Sequence, residues 1–153
     1  MIKEVSVGGI MFLEENNKRF YLLLKYERLN DAKGNHQYFD FPKGHIEKSE
    51  AEEDTLKREI NEETGISKIE ILNGFKERIN FFFKKNNKLI KKEVIYYLVK
   101  TKIKDVKISS EHIDFKWMQY NEALNIIAFK NSKDLLKKAE NFLNNSLIKY
   151  NNI

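Results

Sequence analysis

Residues 41–66 read FPKGHIEKSEAEEDTLKREINEETGI, a glycine loop followed by a run with helical chemistry. Ser49 is a good helix N-cap, and Glu52, three residues on, completes a capping box. Glu50, Glu52 and Glu53 put negative charge at the positive end of the helix dipole. Gly65 can take the left-handed conformation that ends a helix, with Ile66 folding back on the last turn. The local chemistry therefore predicts a helix over 50–64. Leu56 and Ile60 share one side of it, while Glu59, Glu62 and Glu63, at i, i+3 and i+4, gather their carboxylates on another.

Like charges at that spacing repel, and Arg58, four residues before Glu62, relieves only part of the strain. Taken alone, the carboxylates fit either a solvated acidic face or a cation site. If a cation, oxygen-only ligands favour a hard ion such as Mg²⁺ or Mn²⁺, and Mg²⁺ completes its shell with water and substrate phosphates.

Outward from this stretch, 3–13 and 19–27 read as strands joined by the turn 14–18, with Gly8 and Gly9 marking either a bulge or a close approach of another group. The polar run 28–37, with Gly34 and Asn35, reads as a long loop leading to Tyr38, Phe39 and Phe41, and Pro42 holds Phe41 extended. After the helix, 69–84 and 90–100 form a strand pair with Asn86 and Asn87 at the tip. Within it, 94–99 is apolar on both faces, as a central strand requires. A short strand at 115–118, a helix at 121–127 and a C-terminal amphipathic helix carrying Leu135, Ala139, Phe142, Leu143 and Leu147 complete an α/β pattern, a mixed β-sheet between α-helices.

The 153 residues suit one domain, and a hydrophobic content of 41% supports a packed core. With no cysteine, disulfides, thiolate metal sites and cysteine nucleophiles are excluded. The net charge of +5 suits a polyanionic ligand, or reflects lysines scattered for solubility. No apolar run spans a bilayer and the start MIKEVSV lacks a secretory segment, so the expected location is cytoplasmic.

Gly44, five residues, Glu50, seven residues, then Arg58, Glu59, Ile60, Asn61, Glu62, Glu63, Thr64, Gly65 and Ile66 resembles the Nudix box at each of its defined positions. The resemblance implies a Nudix fold over 1–153 with the box at 44–66. It also implies a hydrolase of nucleoside diphosphates linked to another moiety, dependent on divalent metal. Glu59, Glu62 and Glu63 would be metal ligands, one of them also helping to activate water. Arg58 would orient them, and the Gly44 carbonyl would complete a metal shell.

Beyond the box, Pro42, Lys43 and His45, then Gly74, Phe75 and Lys76, Val94 to Tyr97, Ser110, Glu111 and His112, and Phe115, Lys116 and Trp117 resemble the asymmetrical diadenosine tetraphosphate hydrolases, the bis(5'-nucleosyl)-tetraphosphatase family. That likeness implies cleavage of a dinucleoside polyphosphate into ATP and AMP with Mg²⁺, for which Mn²⁺ can substitute, by a monomer with no stable nucleic-acid partner. Carried over by position, Lys43, His45, Lys92 and Tyr96 would face the phosphates, and Glu111 would be a metal ligand or the general base. Phe81 would stack on a base, without the hydroxyl of the tyrosine common there. Phe142 would form the other side of the base clamp, although its spacing equally fits a core residue. His45 also fits a loop cap, and His112 reads as a structural histidine beside a carboxylate. Asp40 and Phe41 depart from the family pattern. The alternatives are a Nudix RNA 5'-pyrophosphohydrolase, a nucleoside triphosphate pyrophosphohydrolase, and a non-catalytic nucleotide- or RNA-binding domain.

Overall fold

The computed structural model describes residues 2–30 and 34–151, with backbone alone at 28–30, 34–35 and 146–151, so Leu147 falls outside the described side chains. In chain order the elements are β1 (Ile2–Glu15), β2 (Lys18–Asn30), β3 (Gly34–Asp40), β4 (Lys43–His45), α1 (Glu52–Thr64), β5 (Glu70–Lys85), β6 (Lys88–Lys100), β7 (Asp114–Met118), α2 (Tyr120–Ile126) and α3 (Lys130–Asn151). Among the described residues the strands form one mixed sheet ordered β3-β2-β1-β6-β5, with β4 on β1 and β7 on β2. The β1 and β6 strands run parallel, Val7 opposite Ile95 and Gly8 opposite Tyr96, and the other pairings are antiparallel.

Two hairpins turn on asparagine pairs in the left-handed region. Asn16 and Asn17 have φ of 53° and 62°, and Asn86 and Asn87 have 53° and 61°. Asparagine tolerates that backbone, and the resulting turn matches the twist of the flanking strands. The long loop expected over 28–37 is instead a third hairpin. The β2 and β3 strands pair from Leu24 opposite Asp40 out to Asn30 opposite Gly34. His36 and Gln37 on β3 are polar and exposed, so alternation there carries no apolar signal.

Alternating residues divide the core into two layers. Ile10, Phe12, Tyr21, Leu23, Val94, Tyr96 and Leu98 pack with Leu135, Leu136, Ala139 and Leu143 of α3. Val7, Met11, Leu22, Leu24, Ile95, Tyr97 and Val99 pack with Leu56 and Ile60 of α1. The sheet therefore lies between helices, and β6 is covered on both faces as its continuous apolar run requires. Gly8 and Gly9 are explained by close approach. A Cβ on Gly9 would stand 3.1 Å from Ile60 Cδ1, and one on Gly8 would stand 2.6 Å from Tyr96 Cε1. No described helix is long and apolar enough to cross a membrane.

The start of α1 differs from the capping-box expectation. Ser49 has φ 71°, Ala51 occupies the N-cap without a side-chain bond, and the helix begins at Glu52. Glu50 is engaged elsewhere, by Arg58 and Thr55. At the other end Gly65 closes the helix as expected, at φ 74° with its N–H donating to the Asn61 carbonyl.

Candidate active site

The loop before α1 is held by backbone bonds to β1. Ser6, Val7 and Gly8 pair with His45, Gly44 and Lys43, while the Gly9 N–H donates to the Pro42 carbonyl and the Ile46 N–H to the Val5 carbonyl, each at 3.0 Å. Tyr26 adds a side-chain anchor, its hydroxyl donating to the Phe41 carbonyl at 2.8 Å. Three box residues are thus fixed by main chain before any side chain contributes.

Arg58 ties this loop to α1. Its Nε and Nη2 donate to the two oxygens of Glu50 at 2.8 and 2.9 Å, a bidentate pair, and Nη2 also reaches the His45 carbonyl at 3.0 Å. Nη1 donates to Glu59 Oε1 at 2.7 Å and lies 3.3 Å from Glu62 Oε2. A planar guanidinium can satisfy all these acceptors at once where a lysine ammonium cannot. Arg58 holds the Glu50 carboxyl down to about 2, helped by the Glu47 N–H.

The glutamates occupy different surroundings. Burial pushes the Glu59 carboxyl up, against the pull of Arg58 and with added repulsion from Glu63 and Glu62. Gly44 packs so close to the Glu59 carboxylate that a side chain there would overlap it. Glu63 is 5% exposed, and burial raises its carboxyl as well, offset by His112 and by the Lys43 N–H, which donates to Oε2 at 3.2 Å. The 3.3 Å separation of His112 Nε2 from Glu63 Oε1 is close, but it is too poorly aligned to be a hydrogen bond, and both ring nitrogens are buried without a hydrogen-bond partner among the described residues. Tyr26 meets the His112 ring edge-on at 4.5 Å. Glu62 is exposed, as is Glu111.

These groups surround one groove of about 570 Å³, lined by Lys43, Gly44, His45, Arg58, Glu59, Glu62, Glu63, Lys92 and Glu111. Glu63, Glu111 and His112 each bring a ligand atom within 4.8 Å of the others. Hard carboxylate oxygens crowded together, a buried imidazole without a hydrogen-bond partner and a glycine that lets backbone approach form a donor set that fits a divalent cation. Sequence reasoning assigned His112 a structural place beside a carboxylate. Its nearness to both Glu63 and Glu111 emerges only once β7 pairs with β2 and draws the preceding loop against Tyr26.

A second recess of about 300 Å³ adjoins the groove and shares Lys43 with it. Tyr38, Asp40, Ile79, Phe81, Val94, Tyr96, Phe129 and Ser132 are among its walls. Phe81 and Phe129 are 40% and 41% exposed, whereas Tyr96 is buried. Asp40 lies buried on the floor, Oδ1 accepting the Phe41 N–H at 2.8 Å, and burial raises its carboxyl despite Lys43. Lys92 is pulled below the usual lysine range by burial and by Lys43, against Glu4 at 3.8 Å. Phe142 lines neither cavity and instead packs edge-on against Phe75 at 5.6 Å, beneath Gly74. Phe129 was not singled out by sequence reasoning. Its one available signal was a large apolar residue in the polar junction between two helical patterns.

The NUDIX domain family matches residues 3–139. The bis(5'-nucleosyl)-tetraphosphatase [asymmetrical] of Rattus norvegicus is 37% identical over 106 residues, covering 67% of this chain and 69% of its own. An RNA pyrophosphohydrolase of Nitratiruptor sp. is 34% identical over 103 residues, covering 60% and 64%. Among solved structures, a C. elegans Ap4A hydrolase binary complex superimposes with TM-score 0.76 at 28% identity, covering 95% of this chain and 99% of that one. The box geometry, the domain match and these relatives agree, and the chain belongs to the Nudix family, whose hydrolases use divalent metal ions and act on small nucleotide substrates.

Proposed function

We propose that this chain hydrolyses dinucleoside polyphosphates, converting diadenosine tetraphosphate and water into ATP and AMP. The observation that carries the reading is the joining of two cavities at Lys43. One is an acidic, Arg58-braced groove for phosphate chemistry, and the other is an aromatic-walled recess of a size suited to a base. The relatives named for this activity support the same substrate class.

Glu59, Glu62, Glu63 and Glu111, with the Gly44 carbonyl, would hold Mg²⁺ or, in its place, Mn²⁺. The ion would supply charge neutralisation on the phosphate oxygens and activation of the attacking water. Arg58 acts at one remove as a positioning residue, fixing Glu59 and Glu62 while Glu50 and the His45 carbonyl hold it in place. Lys43, His45 and Lys92 offset charge on the polyphosphate, and Tyr96 backs the phosphate path from the recess. Phe81 and Phe129 take a base between them, while Phe142 packs against Phe75 in the core. Water attacks one phosphorus in line, a box glutamate or Glu111 takes its proton, and the bond to the bridging oxygen breaks so that the departing chain keeps the electron pair. The whole chain acts as one Nudix unit and as a monomer.

Product analysis tests this reading. Purified protein with Mg²⁺ should give ATP and AMP in equal amounts, and two ADP or no turnover refutes it. Glu62→Gln and Glu63→Gln should each leave nucleotide binding largely intact while lowering kcat by about 10²-fold or more. Undiminished kcat would remove these carboxylates from the mechanism.

A further inference from the structure

The net charge of the chain is concentrated in one hairpin. Residues 79–92 carry five lysines and no acidic residue, and the other 23 lysines and arginines are matched by 23 aspartates and glutamates. The whole formal charge of +5 therefore resides on the β5–β6 hairpin. The same hairpin exposes apolar surface. Phe82, at 57%, is the most exposed large apolar residue among those described, and Leu89 is 47% exposed.

The strand register puts both features on one face. Phe82 stands opposite Lys91 and Lys84 opposite Leu89, so the phenylalanine and the leucine are diagonal neighbours with a lysine beside each. Lys84 and Lys91 have no carboxylate partner among the described residues. Further in on this face the charge is balanced, because Glu93 lies 2.9 Å from Arg78 and 3.8 Å from Lys3. Phe81 and Lys92, opposite each other, point to the other side, where they wall the recess and the groove. Lysine heads reach for anions while their stems lie along apolar surface. An anionic bilayer offers both kinds of contact in one plane, headgroup charge for the lysines and the acyl boundary for Phe82 and Leu89. A single-stranded polynucleotide takes rings in succession, whereas on this face Phe82 has an aliphatic neighbour and the Phe81–Phe83 ring pair lies on the reverse one.

We propose that the Phe82–Leu89 face of the β5–β6 hairpin docks peripherally on an anionic lipid bilayer, the two apolar side chains entering the headgroup boundary and the hairpin lysines engaging lipid anions. Because Phe81 and Lys92 point away from this face, the groove and the recess stay open while the chain is docked. The docking is independent of the chemistry assigned to the groove.

Co-sedimentation of the native chain with vesicles, in the absence of divalent cation, reads the docking. Phosphatidylcholine vesicles containing about one-third phosphatidylserine should bind at least about tenfold more tightly than phosphatidylcholine alone. That preference should vanish in about 1 M salt, where the screening length is about 3 Å. Lys84→Gln with Lys91→Gln should weaken binding by about thirtyfold, the loss expected for two lysines at an anionic surface. Phe82→Ser with Leu89→Ser should weaken it by about tenfold. Ile103→Ser, at an exposed apolar residue beyond the far end of β6, should not. On vesicles, Phe82→Trp should add to the Trp117 signal an emission shifted to the blue and quenched by brominated acyl chains. Circular dichroism should be unchanged throughout. Binding that ignores lipid charge, an equal loss from Ile103→Ser, or the absence of the emission shift would each overturn the proposal. So would single-stranded RNA held as tightly as the vesicles and weakened equally by Phe82→Ser with Leu89→Ser, since that would assign the face to nucleic acid. Turnover of diadenosine tetraphosphate by the same hairpin variants, measured without lipid, should match the native chain. Failure of docking with turnover intact removes the docking face alone, and docking without turnover in the native chain removes the function proposed above alone.

Discussion

Arg58 is the residue on which the groove's geometry converges, because one guanidinium fixes a loop carbonyl and three carboxylates. Arg58→Lys keeps the charge but not the fork, so Glu59 and Glu62 lose their common reference. A displacement of about 1 Å at such a site costs about 10²-fold in rate, and steady-state kinetics should show that loss in kcat with circular dichroism unchanged. Glu50 gives the matching pH prediction. Its folded carboxyl lies at about 2 against an ordinary 4.5, so its stabilising pair with Arg58 is complete above 4.5 and disappears as pH falls through about 2. The difference in Tm between the native chain and Glu50→Gln should therefore be largest above that window and close toward its acid end. At this scale the sequence was informative about chemistry but not about neighbours. Spacing on one helix was enough to gather Glu59, Glu62 and Glu63, whereas Phe129, which precedes α3, enters the recess with no periodic signal to mark it. Phe142 met the helical period and proved to be packing against Phe75.

At the level of elements, α1 is docked by Leu56 and Ile60, which are 0% and 1% exposed, and is stopped by Gly65 in the left-handed region. Gly65→Ala should cost about 1 kcal/mol or somewhat more in urea denaturation, and Gly65→Asn less, because asparagine tolerates that backbone. Ile60→Ala should cost about 2–5 kcal/mol, since the packed side chains of Val7, Met11 and Ile95 around it cannot collapse fully into the space left. The helix end was legible because glycine leaves few alternatives there. The start was less so, because Ser49 and Glu52 have capping-box spacing but Ser49 adopts φ 71° and the cap falls to Ala51. The Glu52 carboxylate that the box needed instead accepts the Tyr97 hydroxyl at 2.7 Å and pairs with Lys76 at 2.7 Å, both contacts with the sheet. The β2–β3 hairpin was missed for a related reason. Its pairing is a backbone property, and its polar side chains carry no period that a sequence reading can detect.

For the whole molecule, the decisive contacts are long-range ones. Parallel pairing of β1 with β6 sets Tyr96 against Gly8 and aligns Lys92 with Glu4, and neither relation follows from strand periodicity alone. The same assembly brings Glu111 and His112 from a distant loop to Glu63, so that a chain of net charge +5 concentrates its carboxylates at one place. Burial raises Glu59 and Glu63, so the folded chain holds protons on them more tightly than the unfolded chain does. Without a cation, stability should then fall as pH rises from 4.5 through the raised range, the unfolded chain giving up its protons first. A divalent ion reverses that trend, because it takes the deprotonated site and binds only the folded state. Mg²⁺ at about a hundredfold over its Kd should add about 2.7 kcal/mol, visible as a rise in Tm that EDTA abolishes. The increment should grow from mildly acid to neutral pH and shrink in Glu62→Gln, whose side chain is 58% exposed and so tests the ion rather than the packing. An increment independent of both pH and Glu62 would mean that the cation acts elsewhere on the surface.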